Sequence, residues 1–468
     1  MTSEALTWLS LTEQAAALER REISSVELVT AHLDRIEKVN PVTNAIVTLE
    51  PERAIAGARE ADRRRMAGGD DLPPLLGIPM THKDTHDTAG MRTTYGSELF
   101  ADHVPQRSSS IVARLQATGV ISTGKSNVPE FAAGAHTANR VFGTTLNPYD
   151  LTRSAAGSSG GAAVAIASGI QAAGDGSDTG GSLRLPASFA NIVGLRPSHG
   201  RLPKVPPEDP WQWLSQPGFL AGTVDDVAWL MELTSPSAQR RDMRGSEILS
   251  HGAENLQGIV AGFSPDLAGR LELEAEVQTV VEAAGPVLTG LGARLSESVP
   301  DLREARNMFR TARAYEFAAN LRDINRENPG TLKASLQADV DAGLALTADD
   351  LFDFDRARVR LCSAMNDYFT THDVLVTTTA QVLPFSAEDE YPKMINSRPV
   401  EDYMAWVDST TLFSATGCPA LSVPAGFSAS GLPIGLQIIG PVGGDAMVLH
   451  VARFFEAATG HGQHRPSL

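Results

Sequence analysis

The stretch from Gly157 to Gly200 constrains this chain more than any other. It carries Gly157-Ser158-Ser159-Gly160-Gly161, a run of small residues from Ala162 to Ile170, and then Gly174-Asp175-Gly176-Ser177-Asp178-Thr179-Gly180-Gly181-Ser182-Leu183-Arg184. Glycine loses the most backbone freedom on folding, so clusters like these mark backbone held close to something else. A helix of small residues between them can pack very closely against a neighbour. With 42% hydrophobic and 20% charged residues, the chain otherwise has the make-up of an ordinary globular protein, and disordered and fibrous classes are excluded.

Strand and helix signals alternate along the rest. Ser24-x-x-Glu27 has the form of a capping box, Val29, Leu33 and Ile36 follow at helical spacing, and Asn40-Pro41 is expected to stop that helix. A charged helix is expected over Arg53 to Met66, a loop over Gly68 to Pro74, and a strand over the apolar run Leu75 to Met80. Ser108 to Gly119 reads as a helix, Val120 to Thr123 as a strand, and Ala162 to Ile170 as the helix of small residues. Leu302 to Tyr368 is charged and helical, Val374 to Thr377 reads as a buried strand, and Ser422 to Ala425 with Gly435 to Gly440 reads as a hairpin or strand pair. This alternation favours an α/β layered fold with helices covering a sheet.

Charge and cysteine content narrow the function. With 39 Lys and Arg against 56 Asp and Glu, the formal net charge is −17, which argues against a nucleic-acid groove. Cys362 and Cys418 form no C-x-x-C pair, so neither a disulfide framework nor a zinc knuckle is expected. His82-Lys83-Asp84-Thr85-His86-Asp87 sets two histidines at i, i+4, where they could share a helical face. A hydrolytic zinc helix carries Glu beside its first histidine, and the cation Lys83 stands there instead, so no metal is expected. The start, Met1-Thr2-Ser3-Glu4-Ala5, lacks a secretory pattern, and Gly160 to Gly174 is too short and too polar to span a bilayer. The expectation is a cytoplasmic, reduced protein without a membrane or nucleic-acid partner.

Three chemistries compete for the glycine-rich clusters. A phosphate loop needs G-x-G-x-x-G or G-x-x-x-x-G-K-[ST], and neither spacing occurs there. Gly157 to Gly161 satisfies G-x-S-x-G about Ser159, but a nucleophile elbow needs a buried strand directly before it, and Asn147 to Ser154 is turn-like and polar. The third uses a serine beside small residues whose amides can converge on one point, with a lysine as base. Lys83, just after the apolar run, is the candidate base.

Here the blocks Gly77-Ile78-Pro79-Met80-Thr81-His82-Lys83-Asp84, Gly157 to Gly161, and Asp178 to Ala187 resemble the signature blocks of the amidase signature family. The resemblance extends through Gly124 to Phe131, Gly194 to Gly200 and Gly417 to Gly426, and so covers most of the chain. It implies a three-layer α/β/α fold with a mixed central β-sheet, as one catalytic domain over residues 1–468 with variable pocket-shaping segments near 205–217 and 302–368. It implies Ser182 as nucleophile, Ser158 as bridging serine after a cis Gly157–Ser158 bond, and Lys83 as base. It also implies an oxyanion hole from the amides of Thr179, Gly180, Gly181 and Ser182, with Asp178 and Arg184 flanking the nucleophile and able to pair to fix its loop. No cofactor is implied.

Two positions depart from the family pattern. Ala155-Ala156 stands where relatives commonly carry Pro-Gly before Gly157, and Leu185 stands where relatives acting on small acidic or amide-bearing substrates often carry Gln or Arg. The second tilts the expectation away from glutamine and toward neutral aryl or alkyl amides and anilides, with carbamates (urethanes) chemically close. Trp211, Trp213 and Phe219, with the segment Phe309 to Phe317, are candidates for an apolar substrate pocket. The expected partner is a small-molecule amide or carbamate, with the chain a monomer or homodimer. The alternatives are the glutamine-hydrolysing A subunit of a tRNA amidotransferase, which depends on partner subunits, and a catalytically dead binding protein.

Overall fold

Side-chain alternation along Val374–Thr378 shows how the core is arranged. Val374 and Val376 enter one hydrophobic cluster with Val277, Val281, Leu288, Val448 and Phe455, while Leu375 enters another with Met308, Phe309, Leu361, Met365 and Phe413. A strand apolar on both faces belongs in a sheet covered on both sides. The computed structural model, which describes residues 2–68, 71–210, 212–236 and 255–468, has that sheet. Its eight strands run in the order Arg294–Ser296, Val260–Phe263, Val374–Thr378, Pro433–Ile439, Ala420–Phe427, Val193–Arg196, Gln216–Ala221 and Ala173–Asp178. The first three are parallel and every later pairing is antiparallel, so the sheet is mixed.

Helices Val224–Thr234, Ala275–Glu282 and Asp445–Thr459 contribute to the first cluster, and Ala305–Glu327, Ala348–Tyr368 and Asp408–Ser414 to the second. The fold is therefore the expected α/β type, with the sheet between helical layers. A second sheet of three strands, Ile46–Leu49, Ile121–Ser126 and Pro79–Lys83, lies against the edge strand Ala173–Asp178. The Thr81 amide and hydroxyl donate to Gln171 Oε1 at 2.9 and 2.7 Å, and the Lys83 amide donates to Asp175 Oδ2 at 3.3 Å. These bonds bring the Lys83 strand beside the glycine-rich segment.

The small-residue helix, Gly160–Ala167, is buried along its whole length. A Cβ on Gly161 would lie 2.2 Å from the Asn127 amide nitrogen, so the close approach expected of this stretch is real and requires glycine. Among the described residues no helix is long and apolar enough to cross a membrane.

Two boundaries differ from expectation. The Ser24–Glu27 capping box forms, but the helix runs Ser25–Thr43 with Pro41 inside it rather than stopping at Asn40. The Asn40 side chain accepts from the Ile46 amide at 2.7 Å and donates to the Ile46 carbonyl at 2.9 Å, which holds the last turn against the next strand. A proline in a final turn so anchored is tolerated despite the backbone hydrogen bond it removes. The strand expected over Leu75 to Met80 is instead Pro79–Lys83, and Leu75 to Gly77 form a buried turn with Gly77 at φ +91°. The apolar run encodes burial rather than extended backbone, and Lys83 ends the strand instead of following it.

Candidate active site

Lys83 is fully buried at the end of its strand, and its Nζ donates to Ser158 Oγ at 2.8 Å. The same ammonium donates to Ser177 Oγ at 3.0 Å and to the Ser177 carbonyl at 3.3 Å. Burial pulls the lysine down to about 7, against the opposing pull of Asp178 and Asp175. Near neutral pH the amine is therefore unprotonated in a large share of molecules and can accept a proton. Lys125 is equally buried, but its ammonium is committed to the His86 carbonyl and to Thr88 Oγ1 at 3.1 Å, and burial lowers it only to about 8.

The segment holding Ser158 and the segment holding Ser182 are joined through backbone, the Ser159 amide donating to the Ser182 carbonyl at 3.1 Å. The Gly157–Ser158 peptide bond is cis. Ser158 is buried and Ser182 is partly exposed. Ser159, the centre of the alternative G-x-S-x-G reading, is wholly buried.

The loop after Ala173–Asp178 is held by a buried ion pair. Arg184 Nη2 donates to Asp178 Oδ1 at 2.8 Å and Nε to Oδ2 at 3.0 Å, a bidentate contact. Arg184 also reaches the Thr410 carbonyl at 3.0 Å, Gln437 Oε1 at 2.7 Å and Ser414 Oγ at 2.7 Å. Burial alone would raise the Asp178 carboxyl, but Arg184 and Arg196 outweigh it and hold it well below the usual carboxylate range. The carboxylate further accepts from the Gly181 amide at 2.8 Å and the Leu183 amide at 3.2 Å.

This narrows one expectation. The Gly181 amide is committed to Asp178, whereas those of Thr179, Gly180 and Ser182 have no such internal partner among the described residues. Three of the four amides remain available to a ligand. Gly181 has φ +115°, and a Cβ there would lie 2.3 Å from Thr410 Oγ1, so the turn admits only glycine. Thr410 in turn donates to the Gly180 carbonyl at 2.7 Å, which ties the loop to the Asp408–Ser414 helix.

A cavity of about 470 Å³ opens onto this loop, with Ser177, Thr179, Thr85 and His86 on its wall. Also on its wall are Lys204 and Gln212, together with Arg313, Glu316 and Phe317 of the Ala305–Glu327 helix. A second space of about 380 Å³, walled by Trp213, Tyr315, Leu351 and Phe354, shares Asp209, Gln212, Glu316 and Asn320 with the first. The wall is less apolar than expected. Lys204 donates to Gln212 and to the Ser215 carbonyl at 2.9 Å, and Gln212 donates to Glu316 Oε2 at 3.2 Å. Burial lowers the lysine and raises the glutamate of this chain of contacts.

A family model described as Amidase matches residues 27–449. The chain belongs to the amidase family. This amidase is 34% identical over 482 residues to the A subunit of the glutamyl-tRNA(Gln) amidotransferase of Thermosynechococcus vestitus, with 96% of the chain and 98% of that protein covered. A solved bacterial aryl acylamidase of the amidase signature enzymes superposes with a TM-score of 0.88 at 26% identity, covering 98% of this chain and 99% of that one. The solved A subunit of the Thermotoga maritima glutamyl-tRNA(Gln) amidotransferase superposes with a TM-score of 0.69 at 25% identity, covering 97% and 94%.

The amidase brings Lys83 and Ser158 together and sets the Asp178–Arg184 pair behind the loop that carries Ser182. The pocket expectations fare differently. Leu185 is buried in the Arg184–Phe189 helix, packed with Phe189 and Trp406, and Phe219 is buried in the sheet core. Neither lines the cavity, so Leu185 carries no direct argument about substrate charge. A strand next to the sheet edge and a short buried helix orient these side chains inward, which their apolar character alone does not reveal. Trp213 lines the outer space, Phe317 the inner one, Phe309 packs behind Gly180, and Trp211 lies outside the described residues, as do positions 69–70 of the expected Gly68–Pro74 loop.

The i, i+4 helical face of His82 and His86 does not exist. His82 is in a strand and His86 in the turn after it, and both Nδ1 atoms bond Asp175, at 2.6 and 2.5 Å. Asp175 and Ser177 are site residues that motif reasoning misses. They stand two apart in Ala173–Asp178, hence on one face of the strand, and that spacing is the signal that could find them.

Proposed function

We propose that this amidase hydrolyses the C–N bond of small neutral amides through an acyl-enzyme on Ser182. The observation that carries the reading is the 2.8 Å contact between Lys83 Nζ and Ser158 Oγ, at a lysine brought to about 7 by burial. Neutral Lys83 accepts a proton from Ser158, Ser158 accepts one from Ser182, and the Ser182 oxygen attacks the carbonyl carbon. The free amides of Thr179, Gly180 and Ser182 stabilise the oxyanion, each such donor contributing about 10²- to 10³-fold to rate in comparable sites. The relay returns the proton to the leaving nitrogen as the C–N bond breaks. Water, deprotonated by the same relay, then attacks the acyl-enzyme and releases the acid. Asp178 and Arg184 act by holding the oxyanion loop and do not touch substrate.

Anilides and other aryl or alkyl amides are the preferred substrates in this reading, with carbamates chemically close. The superposition on an aryl acylamidase at TM-score 0.88, against 0.69 for an amidotransferase A subunit, supports this preference. A second reading, glutamine hydrolysis within an amidotransferase, is favoured by the 34% identity to such an A subunit over nearly the whole chain. Assaying amine or ammonia release by the isolated chain on an anilide, an aliphatic amide, an aryl carbamate and glutamine separates them. Turnover of the anilide well above glutamine is expected. Turnover of glutamine alone, or only with added partner subunits, would replace the first reading with the second.

A further inference from the structure

The histidine three residues after Lys83 is bound on every side but one. The His86 amide donates to the Lys83 carbonyl at 2.8 Å, its carbonyl accepts from Lys125 Nζ, and its Nδ1 donates to Asp175 Oδ2 at 2.5 Å. Asp175 is itself fixed, accepting from His82 Nδ1 at 2.6 Å and from the Lys83 amide at 3.3 Å. Burial raises and the two histidines lower the Asp175 carboxyl, and the net is well below the usual range, so it is an anion that demands a hydrogen on each Nδ1. The His86 tautomer is thereby set, and Nε2 carries the lone pair.

Nε2 has no partner among the described residues, and the ring lies on the wall of the inner cavity beside Ser177 and Thr179. Burial, helped by the nearby Lys83 and Lys125 and opposed by Asp175, lowers His86 and keeps the ring neutral at pH 7. A neutral acceptor held this rigidly, in a cavity whose neighbouring wall residue Ser177 contacts the Lys83 ammonium, is placed to meet a hydrogen-bond donor of a bound ligand. The lysine–serine relay does not need it.

We propose that His86 Nε2 accepts a hydrogen bond from the N–H of the scissile amide, orienting the leaving nitrogen and selecting substrates that carry an N–H over esters that carry none. The inference rests on the hydrolase reading above and adds a recognition element to it. The test compares p-nitroacetanilide with p-nitrophenyl acetate, which share an acyl group and differ in the N–H. His86→Asn keeps a donor to Asp175 but places nothing at Nε2; His86→Gln places an acceptor near Nε2 but loses the Asp175 bond.

H86N is expected to lower kcat/KM on the anilide about tenfold, the size of one transition-state hydrogen bond, while ester turnover stays within about twofold. H86Q is expected to keep an anilide-to-ester ratio closer to wild type than H86N does. Ester turnover reports folding in each variant. If H86N fails to fold, H86Q decides alone, and a ratio tenfold below wild type overturns the proposal. Equal losses on both compounds, no loss on the anilide, or the reverse order of the two variants would each overturn it too. A wild type silent on both compounds would instead overturn the hydrolase reading itself.

Discussion

At the scale of single residues, the chemistry turns on a lysine deprived of water. Lys83 must be neutral to accept a proton, and burial brings it to about 7. The sign is therefore fixed: below that value the ammonium is protonated and the relay is blocked, and above it the amine is free. The kcat/KM for a neutral amide is expected to rise as pH passes through about 7 and then level off, as read from a rate profile on an anilide. A profile flat from about pH 5 to 9 would remove Lys83 from the role of base. Asp178 gives a second prediction. Its carboxylate is buried against Arg184, and removing one member of such a pair leaves an uncompensated charge, so Asp178→Ala is expected to cost about 3 to 5 kcal/mol in urea unfolding. A change under about 1 kcal/mol would mean that the pair does not hold the loop.

Secondary-structure elements explain what sequence can and cannot convey. The blocks around Lys83, Ser158 and Ser182 are local in sequence, and it is their resemblance to a family's signature blocks that marks them there. The helix Gly160–Ala167 and the strand Val374–Thr378 are also legible, the first from its small residues and the second from its apolar run. The cavity wall is not. It is built where Lys204 and Gln212 meet the Ala305–Glu327 helix, and the contact of Gln212 with Glu316 spans 104 residues. No local pattern reports which face of that helix a distant loop will cover. Hence Leu185 and Phe219 read as pocket residues although their elements turn them into the core, whereas nothing local marks Lys204 and Glu316. Trp213, held under the Arg358 guanidinium at 4.8 Å, lines the outer space, to which Leu351 and Phe354 of the Ala348–Tyr368 helix also contribute. Trp213→Ala is expected to raise KM about tenfold for an anilide with a long arylated acyl arm and to leave acetanilide unchanged. An equal effect on both substrates would show that the outer space holds no part of the substrate.

For the whole molecule, the net charge of −17 and the position of the site work in one direction. An acidic exterior repels anionic ligands at long range, while the Arg184 guanidinium beside the catalytic loop is committed to Asp178. The three-stranded sheet brings the Lys83 strand against the edge strand Ala173–Asp178 of the mixed sheet, and the Ser159–Ser182 backbone bond joins the Ser158 segment to the Ser182 loop. Whether this chain on its own cleaves an amide through Ser182 is read from anilide turnover by the isolated wild type and by Ser182→Ala. Amine release by the wild type and a loss of at least about 10³-fold in the variant are expected. Undiminished turnover by Ser182→Ala would remove Ser182 from the role of nucleophile.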